Sequence, residues 1–149
     1  MHLYPIGGDV ITSRLDAIGE LARKRGKSLV CGEAWLYKAG RGEMGGGVAN
    51  APGLFQRDVY SFWSPLDARF FRAVATQVER NGFLFCNFFW VRYLFGMIDY
   101  GPETAGLKPA VAFQQANQRA GQAMLRGELS PLGKAMQSML AERSSRRRP

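Results

Sequence analysis

Residues 27–35, with the sequence KSLVCGEAW, decide the fold class. The run is short and continuously apolar until a carboxylate, Glu33, appears near its end. Continuous rather than alternating apolar residues are typical of a parallel strand that is covered on both faces. Residues 83–90, FLFCNFFW, form a second run of the same kind. Each run follows an amphipathic helix and a tight Gly turn, which is half of a βαβ repeat, so the sequence predicts an α/β fold with parallel strands.

The helix before the first of these runs has clear ends. Asp9 is its predicted N-cap, and apolar residues recur at steps of three and four from Ile11 to Ala22. Gly26 follows a basic last turn as a C-terminal signal. The pattern predicts one amphipathic helix over this span.

A second helix is predicted between the two runs. It begins with Ser64 as N-cap and Pro65 at the first helical position, and it ends at Gly82. Two more helices are predicted, over residues 107–126 and from Ser130-Pro131 to about Met139. No hairpin signal separates the elements, and the order helix, strand, loop, helix, strand, helix indicates parallel βα units.

Composition and charge exclude several classes of protein. The formal net charge is +8, but four arginines lie within residues 143–149, which are predicted to form a disordered basic tail. No nucleic-acid-binding motif accompanies this tail, so no nucleic-acid partner is expected. The longest apolar stretch, residues 83–95, is interrupted by Asn87 and Arg92. It falls short of a membrane span, so no membrane association is expected.

Metal and cofactor sites are not predicted. Cys31 and Cys86 lie inside apolar runs rather than in a ligand-like pair, so buried free thiols are expected. His2 is the only histidine and cannot form a metal site by itself. The Gly-rich residues 39–52 are predicted to form a long surface loop, and no strand leads into them as a dinucleotide-binding motif requires.

Three short motifs together resemble a known family. They are HLYP at residues 2–5, GEAW at residues 32–35 and FFW at residues 88–90. The set resembles strands six to eight of the clan A retaining glycoside hydrolases, which are (β/α)₈ barrels. In that clan, strand six often ends in a His-x-Tyr-like element, strand seven in a nucleophilic Glu, and strand eight near a sugar-stacking Trp. The resemblance covers nearly the whole chain.

The resemblance implies a role for each strand end. Glu33 is the expected nucleophile, and Tyr4 is expected to donate a hydrogen bond that keeps its carboxylate ionised and aimed. Trp90 is expected to stack on the sugar. The further candidates for substrate binding are Trp35, Tyr37, Trp63 and His2.

The chain is shorter than a whole barrel, which typically has about 250 residues. We therefore expect residues 1–142 to be the C-terminal portion of an incomplete barrel, without the strand four that carries the family's acid/base residue. The expected function is retaining hydrolysis of O-glycosidic bonds in a carbohydrate substrate, a reaction that the isolated chain would not complete. Two alternatives stay open: a non-catalytic carbohydrate-binding relic, and a half-barrel that assembles with a complementary fragment or a second copy.

Overall fold

A three-stranded parallel sheet is the centre of the fold. The computed structural model describes residues 1–6, 10–44 and 52–146 of the chain. Its strands are β1 (His2–Leu3), β2 (Leu29–Ala34) and β3 (Phe83–Phe88), and they lie side by side in the order β1-β2-β3. Both strand pairs are parallel. The predicted α/β class with parallel strands is therefore confirmed.

Five helices accompany the sheet in the described part of the chain. They are α1 (Ile11–Lys24), α2 (Pro52–Phe55), α3 (Ser64–Arg80), α4 (Pro109–Arg126) and α5 (Pro131–Arg146). Short 3₁₀ turns cover Arg41–Met44, Gln56–Val59, Ser61–Trp63 and Val91–Leu94. None of the described helices combines the length and the apolar character needed to cross a membrane.

The chain divides into two compact units. The first consists of Met1–Ala51 and Phe70–Trp90, and it holds the sheet and α1. The second consists of Pro52–Arg69 and Val91–Pro149, and it holds α4 and α5. Helix α3 begins in the second unit and ends in the first.

The core of the first unit joins α3 to the sheet. The ring centroids of Phe71 and Phe88 are 4.2 Å apart, and both side chains are buried. At the other end of α3, Asn81 Nδ2 donates to Asp16 Oδ1 of α1 at 2.9 Å. The helices thereby anchor the strands whose carboxyl ends carry the candidate site.

The helix ends differ from the predictions in two places. Ser64 is the first residue of α3 rather than its cap, because the 3₁₀ turn Ser61–Trp63 leads directly into the helix. Asp9, the predicted cap of α1, lies outside the described residues. Helix α5 is longer than predicted, so the disordered tail predicted from residue 143 is wrong for residues 143–146. Basic side chains in a last turn interact favourably with the helix dipole, which is consistent with this extension.

Alanine substitutions at two glycines of the second unit are expected to change the stability of the chain in opposite directions. A Cβ on Gly133 would clash with the backbone oxygen of Leu94, whereas a Cβ on Gly121 meets nothing within 4 Å. We expect Gly133→Ala to lower the free energy of unfolding by about 1–3 kcal/mol through overpacking. Gly121→Ala, inside α4, should raise it by about 0.5–1 kcal/mol. Urea unfolding of both variants measures the difference, and equal effects would contradict the packing of α5 described here.

Candidate functional site

Backbone pairing brings the carboxyl ends of β1 and β2 together in the first unit. His2 lies opposite Glu33 in the register of the two strands. Pairing continues past the strand ends, because Tyr37 N–H donates to Pro5 O at 3.0 Å. Tyr4 and Glu33 therefore lie at the same edge of the sheet, as the sequence predicted for strand ends.

The central feature of this edge is a hydrogen bond from the Tyr4 hydroxyl to Glu33 Oε2. His2 Nδ1 lies 3.3 Å from the same carboxylate oxygen. Glu33 is half-buried, and within the described part of the chain no side chain is hydrogen-bonded to its Oε1. One oxygen of the carboxylate is held in place and the other is open to a ligand.

Burial and the Glu33 carboxylate both act on the phenol of Tyr4. Burial is the larger cause, and together with the hydrogen bond to Glu33 it raises the pKa of the Tyr4 phenol well above its usual value. The phenol is therefore protonated throughout the neutral range. It remains a donor to Glu33 throughout this range.

Aromatic rings fix the position of Tyr4. The Tyr37 ring is stacked on it, with centroids 5.1 Å apart and an interplanar angle of 5°. The Phe89 ring meets Tyr4 edge-on at 6.0 Å. These contacts leave Tyr4 little freedom to turn away from Glu33.

Tyr37, predicted to bind substrate, and Phe89, which had no predicted role, both contact Tyr4. Tyr37 belongs to the cluster, but it uses one face of its ring to support Tyr4. Phe89 was not singled out by sequence reasoning. Its signal was its place in FFW directly after β3, next to Trp90, whose ring lies 5.0 Å from its own.

Trp90, two residues after the end of β3, has an unusual backbone conformation. Its φ is +51°, and it is the only described residue other than glycine with a positive φ. A left-handed conformation at a bulky residue costs about 1–3 kcal/mol, and such conformations cluster at functional sites. The Phe89 N–H still donates to Ala34 O at 3.0 Å, so the turn at Trp90 comes immediately after the paired strand.

Trp35 does not have its predicted role in binding substrate. The side chain is completely buried. Its ring lies 5.8 Å from the ring of Phe71 in α3, and the Lys38 ammonium sits 4.6 Å from the ring centroid. The prediction is wrong because the ring packs against the helix that covers the sheet and presents no face to a ligand.

Trp63, also predicted to bind substrate, lies in the second unit. Its ring centroid is 4.7 Å from that of Phe62. Its Nε1 is buried and lacks a hydrogen-bond partner among the described residues. Trp63 therefore belongs to the second unit, whereas the cluster around Glu33 belongs to the first.

The prediction of buried free thiols is confirmed for Cys31. Cys86 is also free, but it is only half-buried. The two residues are register partners on β2 and β3. A hydrogen bond from Cys86 lowers the pKa of the Cys31 thiol, and the same pairing raises the pKa of Cys86. In residues 1–6, 10–44 and 52–146, no group of three or more His, Cys, Asp and Glu side chains could hold a metal ion.

The fold and the site together define an α/β protein in which Tyr4 and Glu33 are hydrogen-bonded at the carboxyl edge of a parallel sheet, with aromatic rings packed around Tyr4. Comparisons with family models, curated proteins and solved structures found no match to the chain.

Proposed function

We propose that this chain carries the nucleophile side of a retaining glycoside hydrolase, on the C-terminal part of a (β/α)₈ barrel. The observation that supports the proposal is the hydrogen bond from the Tyr4 hydroxyl to Glu33 at the carboxyl edge of the sheet. Barrel enzymes build their active sites at this edge. The sequential order of three parallel strands is also the order that consecutive barrel strands would have.

The open oxygen of Glu33 is the proposed nucleophile. Glu33 Oε1 attacks the anomeric carbon of the sugar while Tyr4 holds Oε2. The glycosidic C–O bond breaks, and the leaving oxygen takes a proton from a second carboxylic acid. Water, deprotonated by the same group, then hydrolyses the glycosyl ester and releases Glu33.

The rings around the pair supply the proposed sugar contacts. Phe89 is partly exposed and lies edge-on to Tyr4, and Trp90 adjoins it at the turn after β3. Both offer apolar surface to the C–H face of a sugar. His2 is exposed beside Glu33, where its imidazole can hydrogen-bond to a sugar hydroxyl.

The acid/base residue is proposed to come from outside these three strands. A retaining enzyme needs two carboxyl groups about 5–5.5 Å apart. Among the described residues, the polar side chains in contact with Glu33 are a phenol and an imidazole. The chain should therefore form a glycosyl ester only with a leaving group that departs without being protonated.

A second candidate function, a half-barrel that assembles with a partner, has its own supporting observation. Leu84 and Phe85 of β3 are both exposed. One edge of β3 pairs with β2, and no strand among the described residues pairs with its other edge. An unpaired strand that carries apolar side chains is a template for pairing with another strand. A complementary fragment or a second copy of the chain would complete the sheet.

Glycosides of dinitrophenol test the catalytic proposal, because dinitrophenolate leaves without protonation. We expect the purified chain to release it from at least one of the β-glycosides of glucose, galactose, mannose and xylose. Because the base that hydrolyses the glycosyl ester is proposed to lie outside these strands, we expect one equivalent of dinitrophenolate per chain. Tyr4→Phe should lower the rate of this release by roughly 10- to 100-fold, the effect of losing a hydrogen bond to a charged group. The substrate concentration at half-maximal rate should change little, since Tyr4 contacts Glu33 rather than the sugar. Absence of release from all four substrates would favour the non-catalytic half-barrel.

A further inference from the structure

Four aromatic side chains form a patch in the second unit, well separated in sequence from the Glu33 cluster. They are Tyr60, Phe62, Trp63 and Tyr100. Phe62 lies 5.9 Å from Tyr60 and 5.7 Å from Tyr100 between ring centroids, and Tyr60 lies 5.3 Å from Tyr100. Phe62 is 51% exposed and Tyr100 is 59% exposed. Large aromatic side chains grouped at the surface are typical of a binding site.

The backbone holds this aromatic patch in place. Tyr60 forms a parallel bridge with Ile98, and Ser61 N–H donates to Ile98 O at 2.8 Å. The Tyr60 hydroxyl donates to Thr104 O at 2.9 Å. The two segments that carry the rings are thereby joined before any ligand arrives, which lowers the entropic cost of binding.

A polar groove of about 370 Å³ adjoins the patch. Ser61 and Asp99, which alternate in sequence with the ring-bearing residues, line it, and Ser61 Oγ donates to Asp99 Oδ1 at 2.5 Å. The other charged or amide side chains in its lining are Arg119, Gln122, Arg126 and Glu128. The volume falls within the range of about 300–1,000 Å³ typical of small-molecule sites.

The charges of the groove disfavour a phosphate-bearing ligand. Arg126 is held by Glu128 through two hydrogen bonds of 2.9 and 2.8 Å. Asp99 offsets the second arginine, Arg119, within the same lining. Two cations and two carboxylates leave no net positive charge to attract a nucleic acid.

We propose that the patch and the groove form a carbohydrate-binding site for a neutral oligosaccharide. Sugars have apolar C–H faces and pairs of neighbouring hydroxyl groups. Exposed aromatic rings bind the C–H faces, and planar carboxylate, amide and guanidinium groups bind the hydroxyl pairs. The site lies wholly in the second unit and uses no step of the proposed hydrolysis. A result that contradicts one of the two proposals therefore leaves the other unaffected.

Affinity electrophoresis of the whole chain in native gels tests this site. The gels contain one neutral polysaccharide each: a soluble cellulose derivative, xylan, mannan or starch. We expect at least one of them to retard the chain. Phe62→Ala and Tyr100→Ala should each weaken the affinity by roughly three- to tenfold, the worth of one aromatic contact. Leu140→Ala is the matched control, because Leu140 is 51% exposed in the same unit and does not line the groove.

The outcomes separate this site from the Glu33 cluster. Phe89→Ala removes a proposed sugar contact at the Glu33 cluster. Retardation that is kept by Phe89→Ala and Leu140→Ala but reduced by the two aromatic variants supports the proposal. Retardation lost in Phe89→Ala alone would place the sugar at the other cluster and overturn it. Lack of retardation by all four polysaccharides would also overturn it, as would a single-stranded oligonucleotide bound through Phe62. Circular dichroism of each variant confirms that it is folded.

Discussion

Replacement of Glu33 by glutamine is expected to lower the release of dinitrophenolate by at least roughly ten-thousand-fold, as removal of a nucleophile does in other covalent enzymes. The amide has nearly the same shape as the carboxylate, but it is a poor nucleophile. It can still accept the hydrogen bond from the Tyr4 hydroxyl. Sugar binding should therefore stay within about twofold of the original chain.

Stopped-flow kinetics of the first release of dinitrophenolate, together with calorimetric titration of a sugar that is not hydrolysed, measure both quantities. Glu20→Gln is the control. Glu20 is an exposed helical residue paired with Lys24 at 2.6 Å, and such surface pairs contribute little to stability. Undiminished release by Glu33→Gln would remove Glu33 from the mechanism, whereas equal losses in both variants would point to unfolding.

Replacement of Trp35 by alanine is the second large effect, and it concerns stability. We expect the free energy of unfolding to fall by about 3–5 kcal/mol, the usual cost of removing a fully buried Trp side chain. The ring is completely buried and packs against Phe71 of α3. Its loss also removes the aromatic surface below the Lys38 ammonium.

Urea unfolding followed by circular dichroism measures this change. Trp35→Phe keeps an aromatic ring at the site and should cost less than Trp35→Ala. A Trp35→Ala variant that unfolds like the original chain but no longer binds sugar would contradict the buried position of Trp35. It would restore the prediction that this residue binds substrate.

The strands could be predicted from the sequence because their signals are local. A continuous apolar run after a helix and a Gly turn is typical of a parallel strand, and both β2 and β3 follow this pattern. The predicted burial on both faces is wrong for β3, because Leu84 and Phe85 are exposed and only its end residues Phe83 and Phe88 are buried. The placement of Tyr4 and Glu33 at one edge follows from the same rule, since parallel strands end at the same side of a sheet. Their hydrogen bond agrees with the role that the family resemblance implied for Tyr4.

The parts of the site that depend on packing could not be predicted in this way. Trp35 is the first residue after β2 and Trp90 is the second after β3, and no local signal says which ring is covered by a helix. The structure separates them, because Phe71 covers Trp35 while the backbone turns sharply at Trp90. Such differences depend on residues that are distant in sequence.

The aromatic patch of the second unit also could not be predicted from local sequence. Phe62 and Tyr100 are brought together by the bridge between Tyr60 and Ile98, a pairing outside the three strands of the sheet. Neither segment has a periodic pattern that predicts the pairing. Helix α5 was predicted too short for a related reason, since its C-terminal half lacks an apolar stripe to mark its length.

Trapping of the glycosyl ester would identify the nucleophile by the residue that carries the sugar. The reagent is a dinitrophenyl glycoside with fluorine beside the anomeric carbon, which forms the ester and then hydrolyses very slowly. After digestion, mass spectrometry should find the added fluorosugar on Glu33 of the original chain, and no adduct on the Glu33→Gln variant. An adduct on another carboxylate, or an equal adduct on both chains, would contradict the assignment of Glu33 as the nucleophile.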